Sequence, residues 1–183
     1  MIDILSGEFF WGIVVGLILS LIGGYALARF TVSMQRKYQR ENLIRLCLDT
    51  IKNIRAIADE FDEVRNRASA IHEDYLTLID VELNVFGRNR EYLVMLPENA
   101  AEAVRRFMND IALRRTDTSL HLQEFYRISN LSEQIRAQGR GPEAERTKEA
   151  AIQPLGKANT SADRLVQTAR HSDGLLTTLK QLD

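Results

Sequence analysis

The stretch FWGIVVGLILSLIGGYALARF, residues 10–30, decides the fold of this chain because its length and composition are those of a membrane helix. Twenty uncharged residues lie between Glu8 and Arg29, and as a helix they would span about 30 Å, the thickness of a hydrocarbon core. A secretory signal peptide has a basic start and a shorter apolar run, whereas this run follows the acidic Asp3 and Glu8. The sequence therefore predicts a retained transmembrane helix over residues 9–30, after a short extracytoplasmic N-terminus of residues 1–8.

Basic residues flank this run on one side only. The sequence before the run has no lysine or arginine, whereas four basic residues follow between positions 29 and 40: Arg29, Arg36, Lys37 and Arg40. Short basic flanks stay on the cytoplasmic side, and they also attract anionic lipid headgroups. We therefore expect a single-pass protein of the cell (inner) membrane, with its N-terminus outside and its C-terminal body in the cytoplasm.

Small residues recur every fourth position within the run, at Gly12, Gly16, Ser20, Gly24 and Ala28. On a helix they form one slowly winding stripe, and such stripes let two backbones approach closely in lipid. The stripe predicts a helix–helix interface, either with a second copy of this chain or with another membrane protein.

Composition narrows the classes of partner. The chain has 183 residues, with 25 acidic against 24 basic side chains and a net charge of −1, so no nucleic-acid partner is expected. Its one cysteine, Cys47, excludes an intramolecular disulfide and agrees with a reducing compartment.

The remainder of the chain has the pattern of an all-α domain. Residues 31–86 contain no glycine or proline, and their apolar residues recur in steps of three and four, which predicts one amphipathic helix or two placed end to end. The apolar repeat is not a strict heptad, so a bundle helix is favoured over an isolated coiled coil. A turn at Gly87, a helix after Pro97 and a helix end at Gly139 complete a predicted cytoplasmic helical bundle over residues 31–137.

The composition changes after this bundle. Residues 138–160 hold two of the three prolines, three glycines and few large apolar residues, which predicts a flexible linker. Residues 161–183 regain apolar spacing and are predicted to form a short C-terminal helix that docks or stays loose.

No motif for a cofactor or a metal is visible. The chain has no Walker-type loop, no GxGxxG and no Cys/His cluster with zinc spacing, so we expect neither cofactor nor metal. Cys47 falls on the apolar seam of the long helix, where a cysteine acts as a small hydrophobic residue.

One pattern does suggest chemistry. Arg67 and His72 are separated by four residues, Arg115 and His121 by five, and Arg164 and His171 by six. This spacing resembles the Arg-x4–6-His motif of HEPN ribonucleases, an all-α family. The resemblance implies that the arginine would stabilise phosphate charge and that the histidine would assist proton transfer.

The sequence as a whole favours a non-catalytic, membrane-anchored scaffold or adaptor, not an enzyme. It would self-associate or recruit a partner through the transmembrane stripe and the cytoplasmic helices. Two alternatives stay open. Several copies packed through the stripe would form a ring or pore-like membrane effector, as in stress or phage defence, or the HEPN-like matches would mark an RNA-cleaving helical domain.

Overall fold

A computed structural model describes residues 3–68 and 71–182, with the side chains of residues 15–67 and 71–182. Every regular element in these ranges is helical, so the all-α prediction is confirmed for the described part of the chain. The helices are α1 (Asp3–Ala68), α2 (Glu73–Arg88), a 3-10 helix (Arg90–Met95), α3 (Glu98–Ala137), α4 (Gly141–Arg170) and α5 (Asp173–Lys180).

The chain divides into two compact units, residues 1–42 and residues 43–183. The first unit consists of α1 residues, and its described side chains from Val15 to Tyr38 are all exposed. Within the described residues, α1 is the one helix long and apolar enough to cross a membrane. The second unit contains the rest of α1 and all the other helices.

Buried side chains from all five α-helices form one core in the second unit. The largest fully buried members include Ile51, Phe61, Ile79, Ile111, Leu165 and Leu179. Cys47 belongs to this core, as its place on the apolar seam predicted. This packing makes the second unit a helical bundle, and the bundle also takes in residues beyond 137.

The helix after α1 folds back along it, so the expectation of two helices placed end to end is wrong. Asn53 donates to Glu82 over 3.1 Å, and the hydroxyl of Tyr75 donates to Glu60 over 3.2 Å. Later residues of α2 therefore meet earlier residues of α1, which makes the two helices antiparallel. The charges at the helix ends favour a break between α1 and α2. Basic residues lie in the last turn of α1 and Glu73 lies in the first turn of α2, and each complements the dipole of its helix.

α3 is one continuous helix through the polar stretch at residues 116–119. The hydroxyls of Thr116 and Thr118 each donate over 2.8 Å to the carbonyl four residues back, at Ala112 and Arg114. Threonine hydroxyls that donate to carbonyls of their own helix already have a hydrogen-bond partner, so they need not cap a new helix. No new helix therefore starts in this stretch.

Gly139 ends α3 as predicted, through a left-handed turn. Its φ is +79°, its N–H donates to Arg136, and the N–H of Arg140 donates to Ile135 over 3.3 Å. These two bonds form the Schellman arrangement, which satisfies the last carbonyls of the helix. α4 then begins at Gly141 with proline in its first turn.

The flexible linker predicted for residues 138–160 is replaced by the first two-thirds of α4, and that prediction is wrong. Its buried positions are occupied mainly by alanine, at Ala144, Ala151 and Ala158, which recur every seven residues. Small side chains at this spacing let α4 pack closely on α3 without large apolar residues. Pro154 is buried inside this helix, and the predicted C-terminal segment continues α4 before α5 begins.

Candidate functional site

The predicted transmembrane stripe lies on an uncovered part of α1. Gly16, Ser20, Gly24 and Ala28 are exposed, and a Cβ built on Gly16 or Gly24 would meet nothing within 4 Å. Gly12 lies in the part of α1 described by its backbone alone. The stripe is therefore free for a close contact with another helix.

The basic flank follows the stripe along the same helix. Arg29, Arg36 and Lys37 are exposed, and Arg40 is half-buried. Lys37 lies 3.8 Å from Glu41 one turn later, and exposed pairs of this kind contribute little to stability. The three exposed cations are thus accessible to solvent or to headgroups.

The arginines of the first two Arg/His matches, Arg67 and Arg115, form ion pairs. Arg67 pairs with Glu63 on α1, and His72 precedes the first residue of α2. Arg115 pairs with Asp80 and donates to the carbonyl of Leu76, which links α3 to α2. The Arg115 side chain therefore holds α3 against α2.

His121, the partner proposed for Arg115, is half-buried on α3. The third Arg/His match, Arg164 and His171, differs from the other two because both side chains line one groove between α3 and the α4–α5 junction.

The single thiol is sealed in the bundle core. Cys47 is fully buried, and this burial raises the pKa of the Cys47 thiol to about 11. Because the thiolate is the reactive form, a thiol of this kind is inert at neutral pH. In residues 3–68 and 71–182 no group of three or more His, Cys, Asp or Glu is placed to hold a metal ion.

A second apolar surface lies on α3. Apolar side chains recur there at intervals of seven, eight, three and four residues and so share one side of the helix. We call this surface the outer stripe, and it consists of Leu113, Leu120, Ile128, Leu131 and Ile135. The three leucines are between 49% and 57% exposed, and the two isoleucines are half-buried.

The outer stripe is partly carried by a helical hairpin that extends past the bundle core. Within the described residues, the core cluster has no member between Leu122 and Ala158, so α3 and α4 there pack on each other by small contacts. Ser132 donates to the carbonyl of Ala144 over 2.8 Å, and Arg136 pairs with Glu145. These contacts fix the position of the part of the outer stripe that lies on the hairpin.

An apolar depression lies between the two helices of the hairpin. It has a volume of about 390 Å³, and Phe125, Ile152 and Leu155 supply its apolar walls. Ile152 is 68% exposed. Charged residues, Glu145 and Lys148 among them, form part of the lining, as at the rim of a protein–protein contact.

The outer stripe has a sequence signal that was available. Its five residues show helical spacing, which predicts an amphipathic helix but does not decide whether the apolar side faces the core or a partner. A helix with apolar residues on two sides exceeds what one core needs.

The chain matches no protein-family model, no curated protein and no solved structure.

Proposed function

We propose that this protein is a single-pass membrane scaffold or adaptor without catalytic activity. The apolar part of α1 anchors it, with the N-terminus outside and the bundle in the cytoplasm. The support for the anchor is the exposed apolar helix followed by exposed cations. Homo-oligomers, or a complex with another membrane protein, form through the small-residue stripe and the outer stripe.

The observation that carries this proposal is the outer stripe. Lipid accounts for exposed apolar residues on the anchor, but it does not account for Leu113, Leu120 and Leu131 on the bundle. Single exposed apolar residues are common on proteins, whereas a row of five on one helix face is typical of a contact surface. From Leu113 to Ile135 the row extends about 33 Å along α3.

A row of this length and spacing fits a helix from the partner. Helix-in-groove recognition uses apolar anchors at such intervals, and a helix presents a matching row of side chains. The partner helix belongs either to a second copy of this chain or to another protein, and the same experiment addresses both.

The test is a double substitution, Leu120→Glu with Leu131→Glu. Burying a whole leucine contributes about 1.5–3 kcal/mol, and these two are about half exposed in the free chain. The loss of both should therefore cost about 2–3 kcal/mol, or an association weaker by about 30- to 150-fold. Light scattering on the detergent-solubilised protein, corrected for bound detergent, measures self-association, and co-purification from native membranes measures a partner.

The matched control is Leu78→Glu with Val81→Glu on α2. These residues are similarly exposed and receive the same charge, but they lie outside the outer stripe. We expect the control to keep the mass and the co-purifying partner of the unchanged protein. If both double variants lose association equally, or if neither does, the outer stripe is not the contact surface.

Topology is tested separately with protease added to intact spheroplasts. A cytoplasmic bundle is protected until the membrane is opened. Digestion of the bundle in intact spheroplasts would invert the proposed orientation.

A further inference from the structure

A groove of about 610 Å³ lies between α3 and the junction of α4 with α5, away from the outer stripe. Its volume falls within the range of small-molecule sites. Arg114 lines it from α3, and Arg164 and His171 line it from α4 and its C-terminus. Two chain segments thus bring basic side chains together, although about 50 residues separate them in the sequence.

The two guanidiniums of this groove are not used elsewhere. Among the described residues, neither Arg114 nor Arg164 lies within 4.0 Å of a carboxylate, whereas Arg115 and Arg170, each close by in sequence, both form ion pairs. Asp110 supplies the one acidic side chain of the lining, so the groove carries a net positive charge. A single guanidinium is suited to phosphate, which it binds with two parallel hydrogen bonds, and two guanidiniums line this groove.

One ring nitrogen of His171 is available to a ligand. His171 Nδ1 lies 2.7 Å from the carbonyl oxygen of Gln167, and because a carbonyl only accepts, Nδ1 carries the proton. Nε2 is therefore left to accept a hydrogen bond or, when protonated, to donate one to a ligand.

A buried hydroxyl in the lining gives an independent indication of a ligand. Ser172 is 1% exposed and lines the groove, and its Oγ has no hydrogen-bond partner among the described residues. Its backbone is satisfied, because its N–H donates to Ala169 and its carbonyl accepts from Leu176. A buried polar atom without a partner is destabilising. Rotation of the side chain about its Cα–Cβ bond would bring the hydroxyl towards the groove, where a ligand oxygen would supply the missing acceptor.

The apolar part of the lining restricts the ligand further. Phe107 and Leu175 contribute hydrophobic surface beside the cations, which an inorganic anion would leave uncovered. We propose that this groove binds a small phosphate ester whose other part is planar or apolar. Arg114 and Arg164 hold the phosphate, Ser172 donates to it, and Phe107 with Leu175 contacts the remainder.

The experiment is calorimetric titration of the full chain in neutral detergent with adenosine monophosphate. Adenosine is the control ligand that lacks the phosphate. Glycerol 3-phosphate is a second phosphate ester, with the chemistry of a lipid headgroup. We expect saturable binding of adenosine monophosphate and none of adenosine. Equal binding of glycerol 3-phosphate, which has no planar or apolar part, would contradict the role of Phe107 and Leu175 and assign the site to headgroup-type phosphates. Weaker binding would support that role.

Substitutions identify the site. Arg114→Gln and Arg164→Gln should each weaken binding about tenfold, whereas Arg146→Gln, an exposed α4 arginine outside the groove, should have no effect. Ser172→Ala should weaken binding several-fold while leaving the thermal midpoint unchanged or higher, since the hydroxyl has no partner to lose.

Three results would overturn the proposal. They are an absence of binding by both phosphate esters, equal binding of adenosine, and unchanged affinity in both arginine variants. A Ser172→Ala variant with a raised midpoint and full affinity would remove the serine from the site and contradict its assigned role.

Discussion

Asp62 is the carboxylate on which the packing of α4 against α1 depends most. It accepts from Arg65 over 2.9 Å and from Arg170 over 3.0 Å, so it joins two arginines on different helices. Its side chain is 17% exposed and that of Arg65 is 11% exposed. Asp163 also pairs with Arg65, but its own side chain is 56% exposed. The two aspartates therefore share one network and differ in burial.

This difference sets the expected magnitudes. A hydrogen bond to a charged group contributes about 1.5–3 kcal/mol when shielded from water, while an exposed ion pair contributes about 0.2–1 kcal/mol. Asp62→Ala removes two such bonds, and Arg65 keeps Asp163 and the carbonyl of Asn159 as partners, which limits the loss. We expect Asp62→Ala to cost about 2–3 kcal/mol and Asp163→Ala about 0.5 kcal/mol.

Urea and thermal unfolding of the full chain in neutral detergent, followed by circular dichroism at about 222 nm, measure these costs. At about 2–4 °C per kcal/mol for a unit of this size, Asp62→Ala should lower the midpoint by about 5–10 °C. A double-mutant cycle of Asp62→Ala with Arg170→Ala should show a coupling of about 1 kcal/mol. Equal destabilisation by Asp62→Ala and Asp163→Ala would refute the assigned burial and pairing.

Three further outcomes are expected. Gly139→Ala should destabilise the bundle by about 1 kcal/mol, because alanine disfavours a φ of +79°. Gly156→Ala, inside α4 with open space around it, should stabilise the bundle by about 0.5–1 kcal/mol. Urea titration that gives both changes the same sign would contradict the assigned conformations. Burial raises the pKa of Cys47 from 9.0 to about 11, so the unfolded chain loses this proton first and stability should fall by about 2 kcal/mol between pH 9 and pH 11. Cys47→Ala should lack that part of the slope, and an identical pH profile in both proteins would disprove it. Gly16→Leu should weaken association in a membrane reporter assay, because the larger side chain keeps two backbones apart; unchanged association would exclude the stripe as an interface.

The long apolar helix and the end of α3 were predictable because their signals are local. Twenty uncharged residues predict a helix long and apolar enough to span a membrane, and Gly139 provides a left-handed turn at low cost. The return of α2 along α1 was missed, since residues 31–86 contain no glycine or proline to mark a turn. The available signal was the change from Arg67 to Glu73, basic at a helix end and acidic at a helix start.

The first part of α4 was missed for a different reason. Prolines and glycines, with few large apolar residues, are typical of linkers, but alanines at seven-residue intervals let this helix pack closely on α3. Proline in the first turn costs no hydrogen bond.

The groove and the outer stripe depend on which helices become neighbours. Arg114 and Arg164 line one groove only because α3 and α4 are antiparallel, and pairing of that kind is not encoded in local spacing. The spacing did indicate Arg164 with His171 as one of three equivalent matches. Ion pairing of Arg67 and Arg115, and the groove that Arg164 shares with His171, separate this match from the other two.

The most direct test of the proposed scaffold function is photo-crosslinking in cells that make this protein, with a benzophenone amino acid in place of Leu120. Val94, an exposed apolar residue outside the outer stripe, is the matched position. The outer stripe predicts a crosslinked product of discrete mass from position 120 and none from position 94, at about twice 20.9 kDa if the partner is a second copy. No product from position 120, or the same products from both positions, would contradict the assignment of this surface to a partner.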